Sequence, residues 1–347
     1  MLDLNYDPAV LVEDITQLTE EEWLRERTKG IGGSDVAAVL GISPWKTRRE
    51  LFYEKTGVQP MQPDETNWVA KEVGHRLEEL VAEIYQRKTG YTVYPIRKIF
   101  QHPLYPFMIA DVDYFVQKSN GKRGVLECKT SSFMAKDRWA DDGIPRHYEV
   151  QGKHYLSVTN LDFCAFACLF GNSEGDFLMR EIDRDLEEEE MTILELAHFW
   201  QDFVSANVEP PYTESGDLVL ESIRRYQGKA DPSLPQITLS SADALRLEQC
   251  LKLREEKQAL DKRGRELEKE IKGVYAPIVD WMGQACAAIC TDGKVEYRVT
   301  YKPTSKTSIK KDELERLRLD YPDIHDQYAT TSESRSFAVK RLDKLQD

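Results

Sequence analysis

Residues 108–130 read MIADVDYFVQKSNGKRGVLECKT. This is an apolar strand carrying Asp113, a turn-like KSNGKRG, and a second apolar strand that ends in Glu127, Cys128 and Lys129. Successive strand side chains face opposite ways. Glu127 and Lys129 therefore share one face, and Cys128 points to the other. By the same alternation Asp111 joins Asp113 on one face. Two carboxylates beside a lysine can hold a divalent cation and position an attacking water, the set that phosphodiester hydrolysis needs. An acid and a lysine two apart on a strand are, alone, usually a solvated pair. Val125 and Leu126 ahead of them, and the acid-bearing strand upstream, set this pair apart.

Outward from this hairpin, the spacing predicts helices around a central mixed sheet, an α/β (α+β) architecture. Upstream, an arm and a helix fill residues 1–30, with a Thr19–Glu22 capping box. KGIGGSDVAAVLG follows, a glycine turn and a short apolar helix capped by Ser34 or Asp35 and ended by Gly41. Thr47 and Glu50 open the next helix, which stops at Gly57. Residues 67–89 form the clearest helix, with Val73, Leu77, Leu80, Val81, Ile84 and Tyr85 in one stripe and Glu78 at its edge. Short strands are expected at 92–94 and 98–101. Downstream come a mixed segment at 133–147, a helix at 148–158, a buried strand at 161–170, an edge strand at 175–182 and a helix at 187–206.

Residues 1–209 thus read as one core and 210–239, bounded by Pro210, Pro211 and Pro235, as a weakly structured linker. Residues 240–284 read as a helical arm. Leu253, Leu260, Leu267 and Val274 recur every seven residues, but the second seam contains Lys257 and Gly264, so no committed coiled coil is expected. Residues 285–347 read as a small α+β unit, with a hairpin turn at Asp292–Gly293 and a last strand in SRSFAVK.

The 347 residues carry a net charge of −14. That argues against tight coating of nucleic acid. The charge is uneven: residues 241–347 hold 21 Lys and Arg against 20 Asp and Glu, so the excess lies in the first 240 residues. An acidic exterior is compatible with DNA bound only inside a cleft. The N-terminus has no apolar run behind a basic segment, so no signal peptide is expected. The most apolar stretch, 161–170, is too short to span a bilayer. Six cysteines scattered among apolar residues read as small buried thiols in a reducing cytoplasm.

Three segments together resemble a known family: RERTKGIGGSDVAAVLGISPWKTRRELFYEKTG (25–57), VGHRLEELVAEIYQRKTG (73–90), and DVDYFV…GVLECKTSS…YEVQGKHYLSV within 111–158. They are similar to the YqaJ-type viral recombinases, phage exonucleases akin to lambda exonuclease with a PD-(D/E)XK restriction-endonuclease-like core. The resemblance covers residues 20–205. It implies that Asp113 and Glu127 are metal-binding carboxylates and that the Cys128 carbonyl is a further ligand. It implies that Lys129 stands beside the nucleophilic water and that Glu78 reaches a second metal. Gln151 and Tyr155 fit a Q-x-x-x-Y motif, and Arg27 and Ser34 match a pocket for a 5′-phosphate end. Where the family often has a second glutamine, this chain has Lys153, a residue able to meet a phosphate. Oxygen-only ligands suit Mg²⁺ or Mn²⁺, two ions per site.

The expected activity is resection of the 5′-ended strand of linear duplex DNA, leaving 3′ overhangs for a single-strand annealing partner in a bacterial cytoplasm. The family resemblance also implies a closed homo-oligomer, a trimer, around DNA. Two rivals stand beside this reading. One is an endonuclease on the same fold, cutting or nicking internally. The other is a non-catalytic DNA-binding or assembly module.

Overall fold

The computed structural model describes residues 2–61, 68–228, 231–291, 294–306 and 308–329. Two compact units divide the chain, Met1–Lys229 and Ala230–Asp347.

In the first unit, β1 (Ala9–Val12) precedes α1 (Glu20–Arg27), α2 (Gly33–Val39), α3 (Arg48–Thr56) and α4 (Trp68–Thr89). Then come β2 (Thr92–Tyr94), β3 (Ile99–Gln101), β4 (Ile109–Asp111), β5 (Tyr114–Gln117) and β6 (Arg123–Thr130). The unit continues through α5 (Arg146–Thr159), β7 (Phe163–Leu169), β8 (Phe177–Asp183), α6 (Leu186–His198) and α7 (Gly216–Gln227). The central sheet has the order β2-β5-β6-β7-β8. Its β6 and β7 run parallel, and all other neighbours are antiparallel. Parallel neighbours need a crossover, and α5 lies in that crossover.

Strand alternation sorts this sheet into two cores. Val125, Cys164, Phe166 and Cys168 pack on one face with residues of α2, α3, α5 and α6. Leu126, Cys128, Phe163, Ala165 and Ala167 pack on the other with Val81, Ala82 and Tyr85 of α4. Glu127 therefore points to the α5 face, as its spacing predicts. Close approach on that face is tight: a Cβ on Gly152 of α5 would come within 2.5 Å of the Phe166 ring.

The mixed sheet flanked by helices is the architecture read from the sequence. The capping boxes at Thr19 and Thr47 are present. Several local expectations are corrected. MIADVDYFV is two strands rather than one: β4 joins a second sheet, β1-β3-β4, while β5 stays in the central sheet. The break falls at Val112–Asp113, so simple alternation does not relate Asp111 to Asp113. The arm before residue 15 contains β1, paired with β3 in the register Ala9↔Gln101. Gly32, not Ser34 or Asp35, caps α2, and its N–H donates to Asp35 Oδ2 at 3.1 Å. Only part of the α4 stripe is buried, since Val73 and Leu80 stay exposed.

The segment expected to be a linker contains α7, which belongs to the first unit. Ser222 is buried against Thr47, with their hydroxyls 3.3 Å apart, and Arg225 pairs with Glu50 at 3.1 Å. Pro210 and Pro211 follow the π-helical turn Phe199–Ser205 without ending the domain; the Pro210 carbonyl accepts a bond from Arg49.

In the second unit, α8 (Ser241–Met282) is a single 42-residue helix running through Pro277, with no buried residue. The hairpin β9 (Ala287–Thr291) and β10 (Glu296–Thr300) follows, then α9 (Lys311–Asp320) and α10 (Pro322–Tyr328). The Asp292–Gly293 turn and the SRSFAVK strand lie outside the described residues.

Candidate active site

The site is built where β6 leaves its pairing with β5. That ladder ends at Leu126↔Tyr114. Beyond it, the Cys128 N–H donates instead to Asp113 Oδ2 at 2.9 Å. The carboxylate thus takes the place of a strand partner, which fixes Asp113 beside Glu127. The Cys128 side chain turns into the opposite core.

Glu127 is 1% exposed. Its Oε1 accepts from Lys129 Nζ and, at 2.6 Å, from Gln151 Nε2. Gln151 also donates to the Tyr155 hydroxyl at 3.0 Å. Residues four apart on α5 share a face, so Gln151 and Tyr155 arrive together. Glu127 Oε2 is buried and has no hydrogen-bond partner. A buried carboxylate oxygen left bare is costly.

The electrostatics are those of crowded acids. Burial first, then Glu127, push the Asp113 carboxyl well above the usual carboxylate range. Burial raises Glu127 as well, against the pull of Lys129. Glu78, on α4, is pushed up to about 7 by burial and by Asp113. Burial works against the Lys129 ammonium, but Glu127 and Asp113 outweigh it and hold the lysine above its ordinary range.

A cavity of about 750 Å³ joins these groups to Arg27 and Ser34. Arg27 Nη2 donates to Ser34 Oγ at 2.8 Å, and its guanidinium lies 4.7 Å from the Trp23 ring centre. The turn that brings them together needs glycine, since a Cβ on Gly33 would meet the Tyr155 ring at 2.5 Å. Tyr155 itself is buried beneath this turn.

Of the predicted residues, Glu78, Asp113, Glu127, Lys129, Gln151, Tyr155, Arg27 and Ser34 all line this one cavity. Lys153 does not. It pairs with Glu149 at 2.7 Å and with Glu188 on α6. A residue two beyond Gln151 on a helix points nearly the opposite way. Trp23 was missed. It lines the cavity, and its indole N–H donates to Asp111 Oδ2 at 2.8 Å. Its place one helical turn before Arg27 is the signal that marks it.

Among the described residues, no three His, Cys, Asp or Glu side chains stand together as a ready-made metal cluster. The donor chemistry nonetheless fits a hard cation. Mg²⁺ keeps several waters and is commonly held by one or two carboxylates. Here one buried carboxylate with an unpartnered oxygen, Glu127, and two partly buried ones, Asp113 and Glu78, line the cavity.

The fold and site define a mixed α/β domain with crowded acids and a lysine where β6 leaves its pairing with β5. The YqaJ-like viral recombinase domain matches residues 22–162. The uncharacterized protein YqaJ of Bacillus subtilis (strain 168) is 30% identical over 330 residues, which is 94% of this chain and 96% of that protein. The chain belongs to the YqaJ family. Among solved structures, it is similar to an alkaline exonuclease (LHK-Exo) from Laribacter hongkongensis, at 21% identity over 55% of this chain and 94% of that one, with a TM-score of 0.45. A phage related exonuclease from Haemophilus somnus 129PT is 11% identical over 51% of this chain and 96% of that one, with a TM-score of 0.36. Among the described residues, no helix is long and apolar enough to cross a membrane.

Proposed function

We propose that the protein is a metal-dependent deoxyribonuclease of phage or prophage origin. It digests the 5′-ended strand of linear duplex DNA and leaves 3′ overhangs for a single-strand annealing protein in the bacterial cytoplasm. One observation carries this reading: Glu78, Asp113, Glu127 and Lys129 share a single cavity with the Arg27–Ser34 pair. A binding module has no need of acids crowded together in excess of their lysine. An internal cutter has no need of a pair that could hold a terminal phosphate in the same cavity.

Glu78, Asp113, Glu127 and the Cys128 carbonyl would hold Mg²⁺ or Mn²⁺, two ions in all. When bound, such ions lower the pKa of water and neutralise charge on the phosphoryl group. The chain's own residues do the rest. The Cys128 N–H fixes Asp113, and Gln151 with Lys129 fixes Glu127 through one oxygen, leaving the other turned away from protein donors. Lys129 keeps a positive charge where the attacking water and the scissile phosphate meet. Arg27 and Ser34 hold the 5′-terminal phosphate through charge-assisted hydrogen bonds. The resemblance to lambda-type enzymes implies a closed trimer around the DNA. Encirclement suits a chain of net charge −14, which has little excess charge for holding DNA by attraction. Light scattering on the full chain tests it; a strict monomer that digests long DNA processively is incompatible with the ring.

The deciding experiment uses linear duplexes with 5′-phosphate, 5′-hydroxyl or blocked ends, and a covalently closed circle, each in Mg²⁺ and in EDTA. Phosphorylated linear ends should be digested in Mg²⁺ alone, with the circle intact. A nicked or linearised circle makes the protein an endonuclease. Binding without any cleavage makes it an assembly module.

A further inference from the structure

The carboxylates do not sit at the bottom of a dead end. A second cavity, of about 910 Å³, meets the first at Glu78, Asp113, Glu127 and Lys129. Arg27 and Ser34 line only the first; Trp45 and Tyr148 line only the second. If the terminal phosphate lies against Arg27 and the scissile phosphate at the acids, the rest of that strand has to leave through the second cavity.

Among the groups the strand would meet there, beside charged ones, are aromatic rings. The Tyr148 ring centre is 4.8 Å from Lys129 Nζ. His147 and Tyr148 pack at 4.1 Å, and Trp45 lies across both, 4.7 Å from His147 and 6.1 Å from Tyr148. Trp45 closes no core: it is 54% exposed and belongs to neither buried cluster. Its backbone is nonetheless anchored. The Ser43 hydroxyl accepts from the backbone N–H groups of Trp45 and Lys46, at 3.3 and 3.2 Å. Lys46 is tied to Glu54 at 2.6 Å and to Asp35 at 3.8 Å. A half-exposed indole, packed edge-on against His147 on the wall of a cavity that reaches the acids, is a surface on which a planar ring can stack.

We propose that Trp45, with His147 and Tyr148 behind it, is a stacking platform for the nucleobases that follow the scissile phosphate on the digested strand. Aromatic faces accept any base, so the platform grips without reading sequence. This inference rests on the exonuclease reading above. Stacking that is equal in ground and transition states changes KM and leaves kcat alone.

The test is digestion by the full-length protein, in Mg²⁺, of a 5′-phosphorylated duplex. It is compared with the same duplex carrying abasic residues at the second to fourth nucleotides of the 5′-ended strand. Wild type should show a KM about tenfold higher on the abasic duplex, with kcat little changed. Trp45→Ala should show the raised KM on intact DNA and no further rise on abasic DNA; Trp45→Phe should restore most of the difference. A wild-type KM indifferent to the abasic residues overturns the platform, and this arm needs no variant to fold. So does a Trp45→Ala protein that discriminates as strongly as wild type. Failure of wild type to digest either duplex defeats the exonuclease reading itself, and the platform with it.

Discussion

Two buried acids near one cavity have opposite surroundings. Asp35 is 3% exposed, and Glu127 is 1% exposed. Asp35 meets Lys55 at 2.7 Å and Lys46 at 3.8 Å, and accepts from the Gly32 N–H. Burial alone would raise its pKa, but Lys55 and Lys46 outweigh burial and hold it well below the usual carboxylate range. Glu127 shares its lysine with Asp113, has Glu78 nearby, and keeps one oxygen bare. Burial is common to both sites; the ratio of acids to bases is what differs. The Asp35 cluster is a finished joint. Lys55 also bonds the Arg27 carbonyl at 2.8 Å, so this joint holds the turn that carries Arg27 and Ser34. The Glu127 cluster is unfinished, and its excess negative charge is what a cation would complete.

The largest expected effect breaks the unfinished side. Lys129→Ala removes the ammonium that faces Glu127 and Asp113 while leaving the carboxylates. Cleavage should fall by about 10²- to 10⁴-fold, with DNA-end binding retained in a gel-shift assay. Near-normal turnover would remove Lys129 from the chemistry. The next effect breaks the finished side. Asp35→Ala leaves Lys55 buried and uncompensated, a loss of about 3–5 kcal/mol. Thermal denaturation of the full chain should show the first unit melting about 10 °C lower. An unchanged melting temperature would mean that the joint is not what holds the turn.

How far each side was legible follows from the range of the interactions. Glu127 and Lys129 were readable because period-2 spacing is a local rule, and β6 obeys it. Gln151 and Tyr155 were named by the family resemblance, since helical spacing alone did not separate them from exposed positions of α5. Asp113 was readable as an acid on that hairpin. Its geometry was not, because MIADVDYFV contains no turn residue, and the switch between sheets is set by distant partners, β3 for Ile109–Asp111 and β6 for Tyr114–Gln117. β1 was missed for the same reason: four residues carry little pattern, and only β3 defines the strand. The prolines at 210 and 211 hid α7, whose place is fixed by Thr47 and Glu50 far upstream. Lys153 was drawn into the site by family spacing, against the rule that residues two apart on a helix face away from each other. The Asp35–Lys55 joint left no local signal at all, since its partners lie on two different helices.

The third expectation sharpens the comparison through pH. Glu78 has a folded pKa of about 7, raised by burial and Asp113, against about 4.3 in an unfolded chain. Between those values the folded state binds more protons than the unfolded state. Its contribution is fully present below about pH 4.3 and is lost as pH rises through about 7. His102 and His154 act the other way. Burial lowers both to about 4, so their contribution is present above about pH 6.5 and is lost as pH falls. The measurement is therefore a difference, in EDTA, between wild type and Glu78→Gln denaturation midpoints at several pH values. The variant should gain on wild type as pH rises from about 4 to 7, and a flat difference would mean that Glu78 is not crowded by Asp113. With saturating Mg²⁺ the gain should shrink, because bound cations stabilise the folded wild type.

The smallest expected effect lies where the two sides meet, at Arg27. Its carbonyl is held by Lys55 of the finished joint, while its guanidinium faces the cavity of the unfinished one, against Ser34 and Trp23. Arg27→Ala keeps the backbone bond and removes only the guanidinium, so the melting temperature should stay within about 2 °C of wild type, in line with a change away from the core. If the guanidinium binds a terminal phosphate, wild type should digest phosphorylated ends faster than hydroxyl ends. The variant should bring the ratio of the two rates towards one, a change of about tenfold for the loss of one charge-assisted contact. Parallel digestion of the two duplexes measures that ratio directly. An equal loss on both ends would make Arg27 a general DNA contact. A lowered melting temperature with the ratio preserved would place it wholly on the structural side, and the division between finished and unfinished acids would then run through Ser34 instead.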